Sequence, residues 1–398
     1  MQAKDFGNGL SDDLWTRRLT RRRVLAAGGA TLAGASLLAA CGGDDEDEPA
    51  ASGDGGLSGE LNLLAWAGWE EAEVLDPFKR QHPNLTINVK NFIGDDEMLA
   101  LLNQSRGAYD ALGMGMEFAP IVAAQDLLAP LDKSQFDLSH YLGPFQDNHP
   151  KGVVDGEWYA IIVRWGVNGL SYNTKQLSES DVSSYEILQD PKLNGRIGIW
   201  DWYLPSMGTL SAALGNENPY AADGTEFDAL TSYMSQIRPG VGAIFPTPAE
   251  MLSGLGSGEV WAIPAGADWV SAGLALEGRP VDWTVPTAGR TGQDVTWGGI
   301  MWSEGAAMTK DAQNPEAALA WVKYMTTPKA IALMATRKAY WSQVASAKSV
   351  PLLSAQAQEL LHAPSAAELE QLAERVFVRE IPEDTQKWQQ AWSRFKAA

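Results

Sequence analysis

The sequence predicts an α/β protein of two lobes joined more than once. Short apolar runs of strand length alternate with helical stretches from Leu57 onward. The chain of 398 residues is long enough for two domains of roughly 100 to 200 residues each. A leader with a basic-flanked, uncharged run precedes the domain and leads into the only cysteine of the chain, so the folded part rests on its own core without a disulfide or a thiolate metal site.

The leader comes first. "TRRRVL", Thr20 to Leu25, leads into a Gly/Ala-rich run from Val24 to Ala40. That run falls short of the about 20 strongly apolar residues of a membrane span, so residues 1–40 read as an export signal. The paired arginines resemble a twin-arginine signal. "LLAAC" resembles the bacterial lipoprotein box, which implies that Cys41 is lipidated and becomes a membrane-tethered N-terminus. "CGGDDEDEPAASGDGG", residues 41–56, has almost no apolar side chain and reads as a flexible acidic tether.

Strands follow at Leu61 to Ala65, Leu85 to Phe92 and Ala111 to Met114, with helices at Asp95 to Gln104 and Phe118 to Gln125. In "DPFKRQHP" a helix either starts at Pro77, with Asp76 as cap, or kinks there. A second set has strands at Trp158 to Val163, Ile197 to Trp200, Val260 to Pro264, Val281 to Val285 and Ile300 to Trp302. Its helices lie near Ser206 to Leu214, Glu226 to Ile237 and Pro248 to Leu255. The tail from Pro315 is helix-rich, with helices at Pro328 to Ala335 and Pro382 to Lys396. The first lobe is assigned residues 57–164 and about 301–335, the second 165–300 and about 336–398.

Charge narrows the partners. The leader holds six basic and three acidic of the chain's 30 and 50 such side chains, so the net charge from Cys41 onward is −23. A surface this acidic argues against nucleic acid or anionic lipid as a partner and suits cations.

Ligands of open α/β sheets bind beyond the carboxyl ends of strands. Those ends repeat one pattern here, tryptophan beside a carboxylate: "WAGWEE" with Trp66, Trp69 and Glu70, "WDWY" with Asp201 and Trp202, "AGADW" with Asp268 and Trp269, and "WSEG" with Trp302 and Glu304. If these ends converge, they form an aromatic box walled by Asp201, Asp268 and Glu304, suited to a small organic cation. Each tryptophan face contributes about 0.5 to 2 kcal/mol to an ammonium group, and a charge-assisted hydrogen bond roughly 1.5 to 3. The competing structural reading makes Asp201 and Asp268 helix caps and leaves Glu304 in solvent.

A sugar stacked on tryptophan is the second ligand class, although the four ends lack the Arg, Lys, Asn or Gln that sugar sites usually add. Only "VRWGVN", Val163 to Asn168, supplies such groups. A secreted enzyme is the third: no serine elbow, zinc-protease motif or phosphate loop is present. His82, His140, His149 and His362 are scattered in polar contexts and read as surface residues, so no metal and no cofactor is expected.

Taken in order, "LLAW", "GAYDAL", "LAPLDKSQF", "YAIIVRWGVNGLSYNTKQL" and "IMWSEGAAMTKDAQNPEAALAWVKYM" resemble the periplasmic spermidine/putrescine-binding proteins of ABC importers, from about Leu61 to Lys396. The resemblance implies a type II periplasmic-binding-protein fold, a ligand cleft between two lobes, a monomer, and delivery of the solute to ABC permease subunits. It implies Trp66, Trp302 and Tyr340 as pocket aromatics and Asp268 and Glu304 as acceptors for ligand amines, with Asp201 in the matching acidic loop. Gly68 stands where that family typically has a carboxylate. Trp69, with Glu70 or Glu117, is expected to replace that acid in part, the alternative being that Gly68 is simply a turn.

Overall fold

The run beginning at Ser58 forms β1 (Ser58–Ala65), whose Leu61, Leu63, Leu64 and Ala65 are buried. The computed structural model describes residues 56–287 and 297–398. The expected signal, Cys41 and the tether as far as residue 55 lie outside the described residues.

Helix α1 (Ala72–Gln81) leads to β2 (Asn84–Asn91), parallel to β1, and α2 (Asp95–Gln104) leads to β3 (Ala111–Gly115), parallel to β1 on its other side. The first helix does not start at Pro77 with Asp76 as its cap. It begins at Ala72, carries Pro77 inside, and is held by buried Val74, Leu75 and Phe78. Helix α3 (Ala119–Ala124) and a small hairpin of β4 (Val153–Val154) and β5 (Glu157–Trp158) precede the long β6 (Ala160–Asn173).

Every residue of β6 is buried. It extends well beyond the expected Val163, because a strand covered on both faces has no polar alternation to mark its end. A Cβ on Gly169, where the register shifts, would lie 2.6 Å from the Thr284 carbonyl oxygen. Past this point come β7 (Ile197–Trp200), α4 (Tyr203–Ala213), α5 (Gly224–Ile237), β8 (Val241–Phe245), α6 (Pro248–Ser257), β9 (Ala262–Gly266), α7 (Asp268–Leu276) and β10 (Val281–Thr284).

Strand β11 (Gly299–Met308) also outruns its expected range. Its second half, "SEGAAM", has weak strand propensity, but pairing with β3 on one side and β6 on the other overrides propensity. The chain ends with α8 (Pro315–Met325), α9 (Pro328–Ala335), β12 (Gln343–Val344), α10 (Ala355–Leu360), α11 (Ala366–Glu374), β13 (Val376–Val378) and α12 (Thr385–Ala397).

The sheet runs β2-β1-β3-β11-β6-β9-β7-β8. Two parallel three-stranded sets, β2-β1-β3 and β9-β7-β8, are therefore joined through β11 and β6, which lie antiparallel to each other. Among the described residues no helix is long and apolar enough to cross a membrane.

Candidate functional site

The loops after β1 and β7, the start of α7, and the middle of β11 do converge. They line a narrow cavity of about 40 Å³ with Trp66, Trp200, Trp202, Pro248, Trp269, Trp302, Glu304, Tyr340 and Arg379. Six rings touch in sequence: Trp66 and Trp202 at 5.9 Å, Trp202 and Trp200 at 4.9 Å, Trp200 and Trp269 at 5.3 Å, Trp269 and Tyr340 at 6.3 Å, Tyr340 and Trp302 at 5.9 Å. All five contacts are tilted or edge-on, which leaves ring faces available.

The expected aromatics Trp66, Trp202, Trp269, Trp302 and Tyr340 thus share one wall, but Trp69 does not. It is fully buried, lies where a Cβ on Gly113 would come within 2.5 Å of its ring, and donates Nε1–H to Glu304 Oε2 at 2.7 Å. Its work is to hold Glu304 rather than to face a solute.

The carboxylates need more correction. Asp201 leaves the cleft: it accepts hydrogen bonds from Trp392 Nε1 at 2.9 Å and Lys396 Nζ at 2.7 Å, both on α12. Extended backbone at a strand end sends successive side chains to opposite sides, so Trp200 and Trp202 enter the cleft as Asp201 turns out.

Asp268 is fully buried and faces the protein, accepting from the Val167 amide at 3.1 Å, the Trp269 amide at 2.8 Å and Gln343 Nε2 at 3.0 Å. Burial pushes its carboxyl up to about 7. Just before it, Ala265 and Ala267 have positive φ of 64° and 100°. This strained backbone is secured by the Ala267 amide donating to Ser171 Oγ at 2.7 Å, and it swings Trp269 toward the cleft.

Glu304 lines the cavity but is already paired. Its Oε2 accepts from Arg164 Nε at 3.0 Å and Nη2 at 2.8 Å, and its Oε1 accepts from the Tyr340 hydroxyl at 2.5 Å. Burial works against the charge on Arg164, yet Glu304 and its other partners hold its pKa above the ordinary value. Burial, with Arg164 opposing it, also raises Tyr340 well above the usual phenol, so its proton stays on.

Glu70 sits at the exposed rim, accepting from the Gly68 amide at 2.8 Å and Asn91 Nδ2 at 3.0 Å. Gly68 has φ +99° and a Cβ there would stand 3.3 Å from Arg337 Cβ, so the turn itself requires glycine. Neither Trp69 nor Glu70 lines the cavity.

Glu117 lies under the wall, where its Oε1 meets Arg379 Nη2 at 2.5 Å. Its carboxyl is raised chiefly by burial, with Arg379 opposing. Beside it, buried Asp95 accepts from the Gly115 amide at 2.8 Å and Trp66 Nε1 at 3.2 Å. Burial and then the neighbouring Glu117 push Asp95 up to about 8.

Arg379, Asp95, Trp200 and Pro248 were not anticipated. "WDWY" held a signal for Trp200. "VFVRE" gave none for Arg379, which is placed by the pairing of β13 with β11. Among the described residues no cluster of His, Cys, Asp and Glu can hold a metal ion. His149 is not a surface residue as expected: it is fully buried, and burial lowers its pKa to about 3.

The family model of bacterial extracellular solute-binding proteins matches residues 73–364. The chain belongs to this family. Members of this family are solute binders rather than enzymes. Among relatives of this solute-binding protein, the spermidine/putrescine-binding periplasmic protein of Salmonella typhimurium (strain LT2) is 22% identical over 277 residues, spanning 67% of this chain and 73% of the relative. The protein of the same name from Escherichia coli (strain K12) is 21% identical over 272 residues, with the same coverage.

Solved structures agree on the fold. The spermidine/putrescine ABC transporter substrate-binding protein PotD from Streptococcus pneumoniae, in complex with calcium and HEPES, superposes with a TM-score of 0.69 at 17% identity, covering 85% of this chain and 99% of that one. The periplasmic binding protein MotA from A. tumefaciens B6, in complex with glucopine, gives 0.66 at 16% identity with 85% and 99% covered. The solute-binding protein therefore has the type II periplasmic-binding-protein fold, and its cavity opens where strand ends of both three-stranded sets meet β11.

Proposed function

We propose that this protein captures a polyamine or similar small organic cation and delivers it to the permease subunits of an ABC importer. The observation that carries this reading is the unbroken series of six aromatic rings, with Glu304 Oε1 among them bonded only to the Tyr340 hydroxyl. Ring faces suit an ammonium group, and that oxygen retains capacity for one more donor.

The walls come from two lobes, residues 57–164 with about 301–335 and residues 165–300 with about 336–398. Trp66 belongs to the first, and Trp202, Trp269, Tyr340 and Arg379 to the second. A solute touching both favours the closed arrangement that the permease recognises. The protein acts as a monomer, exported by the signal in residues 1–40 and anchored through a lipid on Cys41.

A thermal-shift series on the full chain tests the ligand class. Putrescine, spermidine or a quaternary amine should stabilise it, by about 2.7 kcal/mol at a hundredfold excess over the dissociation constant. The presence of Arg379 in the wall makes a stacked sugar the competing reading, so a maltooligosaccharide that raises the melting temperature while every amine leaves it unmoved would sink the proposal. Intact-mass analysis checks the anchor: the mature chain should start at a lipid-modified Cys41 and Cys41→Ala should lose the modification.

A further inference from the structure

Two donors in the cleft wall have no protein acceptor. Arg379 Nε and Trp302 Nε1 are both buried and unpartnered, and both residues line the cavity. A buried donor left unpaired costs about 1 to 3 kcal/mol, so two of them on residues that line one cavity call for an acceptor.

The two residues come from paired strands. Met301 on β11 lies opposite Val378 on β13, and the Arg379 amide donates to the Met301 carbonyl at 2.9 Å. Both side chains are also held in place. Arg379 is fixed by its ion pair with Glu117 and by stacking 5.0 Å from the Trp202 ring centre, and the Trp302 indole lies against Gly166, where a Cβ would collide with it.

The one carboxylate of the wall, Glu304, keeps spare acceptor capacity at Oε1. The cleft therefore offers one acceptor and two donors. A fully protonated diamine brings donors only: it would leave both N–H groups unpaired and set a second ammonium in a wall that already holds the Arg379 guanidinium.

We propose that the solute is an amine that also bears an acceptor oxygen, a carboxylate or a hydroxyl, with its ammonium toward Glu304 and the ring faces and its oxygen toward Arg379 Nε and Trp302 Nε1. This rests on the reading of the cleft as an amine site and narrows it. Trp302 acts twice, through its ring on the cation and through its N–H on the oxygen.

Calorimetry on the full chain with 1,4-diaminobutane, 4-amino-1-butanol, 4-aminobutanoate, the trimethylammonium form of the last, and spermidine tests the inference. At least one oxygen-bearing amine should bind tenfold or more tightly than the diamine and spermidine. The ranking of alcohol against carboxylate identifies the oxygen. Trp302→Phe keeps a ring and loses the N–H, and Arg379→Lys keeps the charge beside Glu117 and loses Nε. Either should cut that preference to threefold or less, and Trp302→Phe decides if Arg379→Lys melts early. Tighter binding of the diamine or spermidine, or a preference intact in both variants, overturns the inference and leaves the amine reading standing. If no amine of the set binds, that reading falls and the inference with it.

Discussion

Trp202 faces the cleft while Asp201 beside it is fastened to Trp392 and Lys396, and this difference between neighbours sets the first expectation. Asp201→Ala should lower stability by about 0.5 to 1.5 kcal/mol through the lost hydrogen bonds and leave solute affinity within threefold, which a denaturant melt and a titration would show together. Glu304→Gln is different. It leaves Arg164 as an uncompensated buried cation, so the unfolding free energy should drop by about 3 to 5 kcal/mol, and an unchanged melt would separate this pair from the folding core. Asp268 and Asp95 set a pH dependence. Burial raises them from 3.8 to about 7 and about 8, so the folded chain holds more protons than the unfolded chain between about pH 4 and pH 8. Their contribution to stability is thus complete below about pH 4 and is lost as pH rises through 7 and 8, and Asp268→Asn should flatten the fall between 4 and 7 in urea melts. At this scale four of the five tryptophans expected at the site line the cavity and Trp69 does not, and of the expected carboxylates only Glu304 does. A tryptophan at a strand end has few destinations, whereas the partner that claims a carboxylate, such as Arg164 for Glu304 or the Val167 amide for Asp268, sits in a remote segment.

Two glycines on the strands flanking β11 act as flat beds for indoles: Gly113 on β3 under Trp69, and Gly166 on β6 under Trp302. Gly166→Ala should cost about 1 to 3 kcal/mol by overpacking and tilt Trp302, seen as a shifted fluorescence maximum and weaker solute binding. An unshifted spectrum would mean that the indole has another place to rest. Elements that carry end signals were readable: Pro328–Ala335 matches its expected bounds with a proline at its start, and Asp95–Gln104 does so with an acidic first turn. Strands defined by partners rather than by their own residues were not. The short β12 and β13 exist because β6 and β11 offer edges to them, and β8 because β7 does.

For the molecule as a whole, the two-set architecture was visible in the rhythm of strands and helices, and the convergence of their ends followed from the sheet class. What could not be read was how far β6 and β11 run between the sets, since continuous burial erases the boundary. If the lobes close on the solute, small-angle scattering should show a smaller radius of gyration with ligand bound, and an unchanged radius would argue for a preformed site. The register of the two joining strands adds a kinetic consequence. Arg164 and Glu304 lie opposite each other on β6 and β11, at the step where the register shifts. If the proposed lobes turn about these two strands, their ion pair stays with the axle and survives opening, while the contacts of Trp66 with Trp202 part. On that arrangement, the proposed cation would meet the Glu304 end first and the rings of the second lobe afterwards. Substitutions at Glu304 should therefore slow association, and Trp202→Ala should quicken release: the axle sets how fast the solute is taken, and the jaws set how long it stays.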